Sequence, residues 1–322
     1  VRFFLAPDGD IAPVDWTEDV EAVAYDKLPE EEAWNLVPKI ESELLLRIST
    51  TCKSLGNESC TKQIFQGLIT SADYIYHLHR IEPGRYCPKG NDDEEYEIED
   101  EIMHPLVSGP EAKRYQRPDT ETYLLFPYIV EKGGARLFDE KEMKKHFPKA
   151  WAYLNRHEDQ LRSREWGNFD DSQWYRFGRH QNIDKQEFAK LGVAETVSGM
   201  RVFADPQGEF YFNNVRVNGI LPAKKKDLFY LLGILNAALV DFIFRRTAKP
   251  KGGGYFEANK QYIAPLPIPD ATDEQKAEVG RRAEELQKLH TARRDTVALL
   301  ERRLDSDQCV DDRRAERWLW AD

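Results

Sequence analysis

The sequence predicts a chain of the α/β class in its α+β form. Short β-like runs broken by turns fill the stretch from Thr51 to about Pro269, helical patterns interrupt it at Lys141–Arg164 and Leu228–Arg246, and a heptad-patterned segment follows Pro269. With 322 residues the chain can bury one large core or two.

Residues 1 to about 50 read as a lead-in segment, with a short helix expected from Leu36 to Arg47 beyond the acidic Glu30-Glu31-Glu32. The opening VRFFLAPDGD lacks the basic start, apolar middle and small-residue cleavage site of a secretory signal. There is no initiator Met, so a piece of a longer protein is expected. In QGLITSADYIYHL, Gln66 to Leu78, the runs Ile64-Phe65 and Tyr74-Ile75-Tyr76 flank Gly67 and a turn bearing Thr70, Ser71 and Asp73. Side chains of this kind can satisfy a turn's own amides, which predicts a hairpin with Tyr74 and Tyr76 on one strand face and Ile75 on the other. Asp205-Pro206-Gln207-Gly208 has type I turn chemistry and predicts a second hairpin, between Met200–Phe203 and Phe210–Phe212.

Phe147, Trp151, Leu154 and Leu161 make one stripe on a helix over Lys141–Arg164, with Pro148 in its first turn or breaking it. Leu228–Arg246 is apolar on most faces and reads as a buried helix; it carries Asn236 and Asp241, and no membrane span is expected. Thr272 followed by Gln275 reads as a capping box. Beyond it Val279, Leu286, Arg293 and Leu300 interleave with Ala283, His290, Val297 and Leu304. That seam predicts a long helix on a partner helix of this chain or of another domain; a lone amphipathic helix on its own domain is the other reading.

A net charge of −11 argues against a protein that coats nucleic acid indiscriminately, but local potential matters more than the sum. Residues 1–101 carry −14 and the remainder +3, while Arg201–Lys260 alone carries +5. The acidic block Asp92–Glu101 reads as a solvated loop that would repel phosphate. Cysteines 52, 60, 87 and 309 form no CxxC pair, which fits reduced thiols in a cytoplasm better than a zinc site with His77 or His79.

No Gly-rich phosphate loop, HExxH or GxSxG occurs. Pro118-Asp119 with Asp139-Glu140-Lys141 matches the loose pattern of metal-dependent nucleases, and Asp139 opening a helix with Lys141 on its solvated face explains the same residues.

The order of segments then points to a family. QGLITSADYIYHL resembles the "G-I-x-T-G-x-D-x-x-F" opening of the TaqI-like C-terminal specificity domain, which follows the methyltransferase domain of adenine-specific restriction-modification enzymes, type IIG and phage-exclusion methylases among them. His104–Tyr115 resembles "P-L-L-x-G-x-D-I-x-R-Y", Tyr123–Tyr128 is similar to "W-L-I-F-P-Y", and Phe147–Leu154 with Leu161 and Arg164 resembles "Y-P-x-x-x-x-Y-L-x-x-x-x-x-x-L-x-x-R". Trp174-Tyr175, Leu232–Ala237 and Tyr262–Pro269 follow in family order, so the resemblance covers roughly residues 60–290. Two elements depart from it. Ser71 stands where the opening has its second glycine, and Leu191-Gly192-Val193-Ala194 replaces a "P-K-I" strand.

The resemblance implies a mixed-sheet target-recognition domain over 51–270, preceded by the segment 1–50 from a missing upstream domain and followed by a helical spacer over 271–322. Neither a Gly-rich strand-loop for S-adenosylmethionine nor an Asn/Asp-Pro-Pro-Tyr/Phe adenine loop occurs, so the cofactor and the catalysis are expected in a methyltransferase domain of the same polypeptide. The partner implied is double-stranded DNA, with a helix-helix partner through residues 273–304. Bases would be read by Arg176, Arg179, Gln181 and Asn182 in the run Trp174–Asn182, because Arg suits guanine and Asn or Gln suits adenine. Phosphate or close backbone contact is expected from Lys113, Arg114, Lys224, Arg246, Lys249 and Lys251, with Thr70 at the turn. A metal-dependent nuclease on Asp119, Asp139 and Lys141, or a protein scaffold in phage defence that never touches DNA, are the competing readings.

Overall fold

Two sheets, each over its own core, organise the chain. The computed structural model describes residues 2–3, 21–22 and 39–306, except 91–93, 132–133 and 215. Most of the lead-in segment, the last 16 residues with Cys309, and Asp92 and Asp93 therefore lie outside the described residues. Of the lead-in, β1 (Arg2–Phe3) pairs with β2 (Glu21–Ala22), and α1 (Lys39–Thr51) is the expected first helix, placed a few residues later.

The first sheet has the order β14-β12-β16-β4. Its strands β4 (Thr61–Gln66), β12 (Lys190–Ala194), β14 (Val202–Asp205) and β16 (Val217–Pro222) all pair antiparallel. Every position of β12, β14 and β16 is buried, polar Lys190, Asp205 and Asn218 included, so both faces of this sheet are covered. Aliphatic side chains from α7 (Leu228–Leu235), α8 (Ala238–Thr247) and α9 (Lys260–Ile263) complete this core.

The second sheet has six strands in the order β15-β8-β9-β5-β6-β7. They are β5 (His77–Glu82), β6 (Arg85–Pro88), β7 (Tyr96–Glu97), β8 (Met103–Val107), β9 (Thr122–Leu125) and β15 (Tyr211–Phe212). β15 runs parallel to β8 and the other neighbours are antiparallel, so the sheet is mixed and the α+β class holds. Its core is rich in aromatic rings, with Tyr76, Phe126, Tyr128, Trp151, Tyr175 and Phe177 buried together. Smaller pairings are β3 (Cys52–Ser54) with β19 (Pro267–Pro269), β10 (Tyr128–Glu131) with β11 (Gly134–Leu137), and the ribbon of β13 (Thr196–Val197), β18 (Tyr255–Glu257) and β17 (Pro250–Gly252).

Neither expected hairpin forms. Gln66–Leu78 carries the chain from β4 of one sheet to β5 of the other, and Asp205–Gly208 carries it from β14 to β15. The turn chemistry is sound, but local signals do not say which sheet the next strand joins. At the second turn the Asp205 carboxylate accepts the amides of Glu209 and Phe210, each at 3.0 Å, and is held at 2.8 Å by the fully buried Lys190 ammonium. That pair fixes the exit of the chain toward the other sheet.

The expected Lys141–Arg164 helix is broken into α3 (Glu140–His146), α4 (Pro148–Arg156) and α5 (Glu158–Arg162), and the short α6 (Arg164–Gly167) beyond them is a turn with left-handed backbone at Glu165 and Trp166. Pro148 opens α4, where its missing N–H costs nothing. The acidic block is more than solvated loop: Glu99 accepts the amides of Lys149 at 2.8 Å and Ala150 at 2.9 Å, at the positive end of α4. Leu228–Arg246 is likewise two helices, with a bend of 73° at Asn236. Among the described residues no single helix is long and apolar enough to cross a membrane.

The capping box opens α10 (Asp273–Ser306): Thr272 N–H donates to Gln275 Oε1 at 2.9 Å and Gln275 N–H to Thr272 Oγ1 at 3.3 Å. The helix packs on α7 of the same chain, and only the start of the expected seam, Val279 and Ala283, makes that contact. Leu286, His290, Arg293 and Leu300 are exposed, whereas Gly280, Ala283 and Gln287 are buried. Small residues let the helices approach; a Cβ on Gly233 of α7 would sit 2.9 Å from Val279 and 3.3 Å from Ala283. The amide of Gln287 pairs with both backbone groups of Ala204, at 2.7 and 2.9 Å, and Asn236 does the same to Val202 at 2.9 Å each. Two side-chain amides thus pair the open edge of β14 as a further strand would.

Candidate nucleic-acid interface

The crossing Gln66–Thr70 runs beside the return strand that leads from β15 to β16. Leu68 N–H donates to Phe212 O at 2.7 Å, Asn214 N–H to Leu68 O at 3.1 Å, and Gly67 N–H to Val217 O at 3.2 Å. A Cβ on Gly67 would lie 2.3 Å from Phe212 O, so the close approach demands glycine. Thr70 then closes the turn: its hydroxyl accepts the amide of Ala72 at 3.1 Å and donates to the Asp73 carboxylate. Thr70 is fully buried, which corrects its expected role from DNA contact to turn closure. Ser71 has φ 56°, in the left-handed region, which accounts for the glycine at that place in the resembled motif.

Asp73–Tyr76 is a single helical turn, α2, and not a strand start. The two tyrosines therefore part company. Tyr74 is 62 % exposed, while Tyr76 is buried and donates to Tyr175 O at 2.6 Å.

This turn forms one wall of a cleft of about 1090 Å³. Ser71, Asp73 and Tyr74 face it from the crossing, Asn213 and Arg216 from the return strand, and Lys89 from beyond β6. His77, also on the lining, lies 3.6 Å from Asp73, but burial holds its imidazole below the usual value and so neutral. Lining groups are thus mostly polar, with cations at Lys89 and Arg216 and carboxylates at Asp73 and Glu111.

The expected contacts fall into three groups. Lys251 and Arg179 border the cleft: Lys251 donates to the lining residue Thr196 at 3.2 Å, and Arg179 is held by Glu165, which accepts from the lining residue Ser71 at 3.1 Å. Two Arg179 bonds to Glu165, at 2.9 and 3.1 Å, both come from Nη1, and the Nε–Nη2 edge has no partner among the described residues. His180 and Gln181 beside it are exposed.

Arg176 and Asn182 are instead occupied within the fold. Arg176 lies over Phe169 and donates to Asp171 at 2.7 Å and Asn168 O at 3.0 Å, and Asn182 bonds Gln63 and Gln66 O at 3.1 Å each. The remaining cations are dispersed. Lys113 and Arg114 are exposed just past the cleft-lining Gly109–Glu111, with Arg114 donating to Asn236 O. Lys224 lines a separate small pocket with Lys53 and Lys276, Arg246 covers the Phe242 ring at 3.7 Å, and Lys249 is exposed.

The nuclease residues do different work. Asp139 caps α3, accepting Glu142 N–H at 2.8 Å, and Asp119 lies 3.9 Å from Arg294 of α10. Among the described residues no group of three His, Cys, Asp or Glu is placed to hold a metal ion, and Cys52, Cys60 and Cys87 are thiols outside any disulfide.

Residues 135–268 match the family profile of the TaqI-like C-terminal specificity domain. The resemblance read from the sequence holds over that stretch. The specificity-domain segment carries Arg179, Thr196, Asn213, Arg216 and Lys251, while the cleft wall Ile69–Glu111 precedes it. The type II restriction enzyme and methyltransferase RM.Eco57I of Escherichia coli is 24% identical over 276 residues, covering 77% of this chain and 26% of that protein. The type II methyltransferase M.BstVI of Geobacillus stearothermophilus is 22% identical over 240 residues, covering 74% of this chain and 39% of that protein. The chain therefore spans well under half the length of either relative.

Sequence reasoning missed Lys89 and Arg216, which stand alone among unlike neighbours and are brought to the cleft only by the fold. Arg164 was legible only as the last residue of a helix motif. It is buried, and donates from Nη1 to Thr70 O at 2.8 Å and from Nη2 to Trp174 O at 2.6 Å and Arg176 O at 2.9 Å. It clamps the crossing to the Trp174–Asn182 segment.

Proposed function

We propose that this chain is the DNA-recognition part of an adenine-specific DNA methyltransferase in a restriction-modification or phage-defence system, and that the cleft between its two sheets holds the duplex. The observation that carries this reading is a polar cleft bordered by Lys89, Arg216, Lys251 and Arg179 in a chain whose net charge is −11. Lys89, Arg216, Lys251 and Arg179 would draw phosphate locally, against the opposing charge of Asp73 and Glu111 on the same lining. Lys89, Arg216 and Lys251 would position the backbone. Arg179 has its bidentate edge open and is braced by Glu165, so it is suited to guanine O6 and N7. Gln181 beside it would read adenine.

The chain offers neither the glycine-rich loop for S-adenosylmethionine nor the adenine-holding loop, so methyl transfer would belong to another domain of the same cytoplasmic polypeptide. Here the chain's own residues bind and orient the duplex, and no bond is made or broken on them.

The test is fluorescence anisotropy on mixed-sequence duplex across a salt series. Binding should weaken steeply with salt, and the triple variant Lys89→Gln, Arg216→Gln, Lys251→Gln should flatten the log–log slope by about 2 to 3, near one for each phosphate no longer neutralised. Absence of binding at low salt, or binding indifferent to salt, would sink the reading in favour of a protein scaffold.

A further inference from the structure

Trp166 is fully exposed, the most exposed of the large hydrophobic side chains among the described residues. It stands on strained backbone: Glu165, Trp166 and Gly167 have φ of 47°, 63° and 85°, three left-handed residues in succession. Two of these are not glycine, and such conformations persist only where the surroundings impose them. Here the imposing contacts are visible. Before the spur, Arg164 is locked to the carbonyls of Thr70, Trp174 and Arg176; after it, the Phe169 ring lies against both the Arg164 and the Arg176 guanidiniums, at 4.0 and 4.5 Å. In the spur itself Glu165 is pinned to Arg179 at 2.9 Å and to the cleft-lining Ser71 at 3.1 Å.

We infer that Trp166 is a stacking residue for DNA, presented on a rigid spur beside the cleft to pack its indole against a base or wedge into a base step. Resting on the DNA reading above, this adds to it a mechanism for distorting the duplex. An indole carries no charge with which to neutralise phosphate, whereas a base offers its ring a π-face of matching size, and apolar wedges unstack and kink duplex DNA. The neighbouring Arg179 would hold the register while the ring inserts. A helix of the methyltransferase half covering the ring is the competing outcome.

The experiment uses this chain and duplexes it enriches from a random-sequence pool, resynthesised with 2-aminopurine at successive positions. Wild-type chain should raise 2-aminopurine fluorescence at one step, as unstacking does. Trp166→Ala should abolish that signal and weaken binding about ten-fold, while Trp166→Phe keeps much of both. Trp166→Gly separates function from folding: it relieves the left-handed strain, so its melting temperature should not fall although DNA binding does. If the wild type enriches DNA but Trp166→Ala binds equally and the 2-aminopurine signal is unchanged or absent, the stacking role is wrong and the DNA reading stands. If the wild type enriches no DNA, both are wrong.

Discussion

The two sheets solve the same problem, holding the segments around one cleft, in different ways. Around the four-stranded sheet the backbone satisfies itself by ladders, and side-chain amides finish the β14 edge at Val202 and Ala204. Around the six-stranded sheet the segment from Arg164 to Asn182 has little regular structure, and side chains take the place of a ladder. Tyr76, Tyr153 and Tyr175 hydroxyls donate to Tyr175 O, Ile75 O and Phe138 O at 2.6, 2.8 and 2.6 Å, and the Tyr128 hydroxyl accepts Phe177 N–H at 2.6 Å. An aromatic ring with a polar tip fills the core and reaches a carbonyl at once. The difference teaches that irregular backbone can be rigid, but that its rigidity hangs on few atoms.

Removing one such atom group should therefore hurt the aromatic side most. Arg164→Ala leaves Trp174 O and Arg176 O buried beside an empty space, and should cost about 3 to 5 kcal/mol by chemical denaturation. Amide hydrogen exchange should rise from Thr70 through the Trp174–Arg179 stretch. Arg164→Lys should recover only part, since one ammonium cannot span three carbonyls set for a fork. A loss within about 0.5 kcal/mol would show that the tyrosines alone suffice, and would break the contrast.

On the ladder side the corresponding change is Gln287→Leu. It keeps the volume but strands the amide and carbonyl of Ala204, for an expected loss of about 1 to 3 kcal/mol. Exchange should rise at Ala204 and not at Leu191 or Val193, which the ladder of β12 still protects. Spread of exchange across the whole sheet would mean that the edge, too, is held by single atoms.

What was legible in the sequence follows the same division. The strand-like run at Tyr123–Tyr128, the Thr272–Gln275 capping box and the proline that opens α4 are local signals, and each stands where local chemistry put it. Sheet membership was not legible, because the turns at Ser71 and Asp205 encode a change of direction and not a destination. The docking face of α10 was read correctly at Val279 and Ala283 but not beyond, because Gly280 and Gln287 bury through close approach and amide pairing, neither of which hydrophobic periodicity measures. At the candidate site, the segment order pointed to the right family, yet which side chains are open was invisible. Arg176 and Arg179 are three residues apart and equally promising on paper. One is folded onto Phe169 and Asp171, and the other keeps its outer edge clear.

The smallest effect expected lies at the crossing that joins the two regions, and its sign is the informative part. Ser71 occupies a left-handed position with φ 56°, which costs a residue with a Cβ about 1 to 2 kcal/mol. Glycine would recover that cost but lose about 0.5 to 1 kcal/mol to its freer unfolded chain. It would also give up the Ser71 Oγ bond to Glu165, made at an exposed site. Ser71→Gly should then be more stable than wild type by about 0.5 kcal/mol, whereas Ser71→Ala, which keeps the strain and loses the bond, should be slightly less stable. Gly178 constrains the choice further, since a Cβ there would meet Ser71 Oγ at 1.9 Å; Ser71→Gly should therefore also soften the penalty of Gly178→Ala in a double-mutant cycle. If Ser71→Gly proves less stable than Ser71→Ala, the hydroxyl is tying Glu165, and with it the spur and Arg179, to the crossing more strongly than an exposed bond should. The two halves of the molecule would then be coupled at the serine itself.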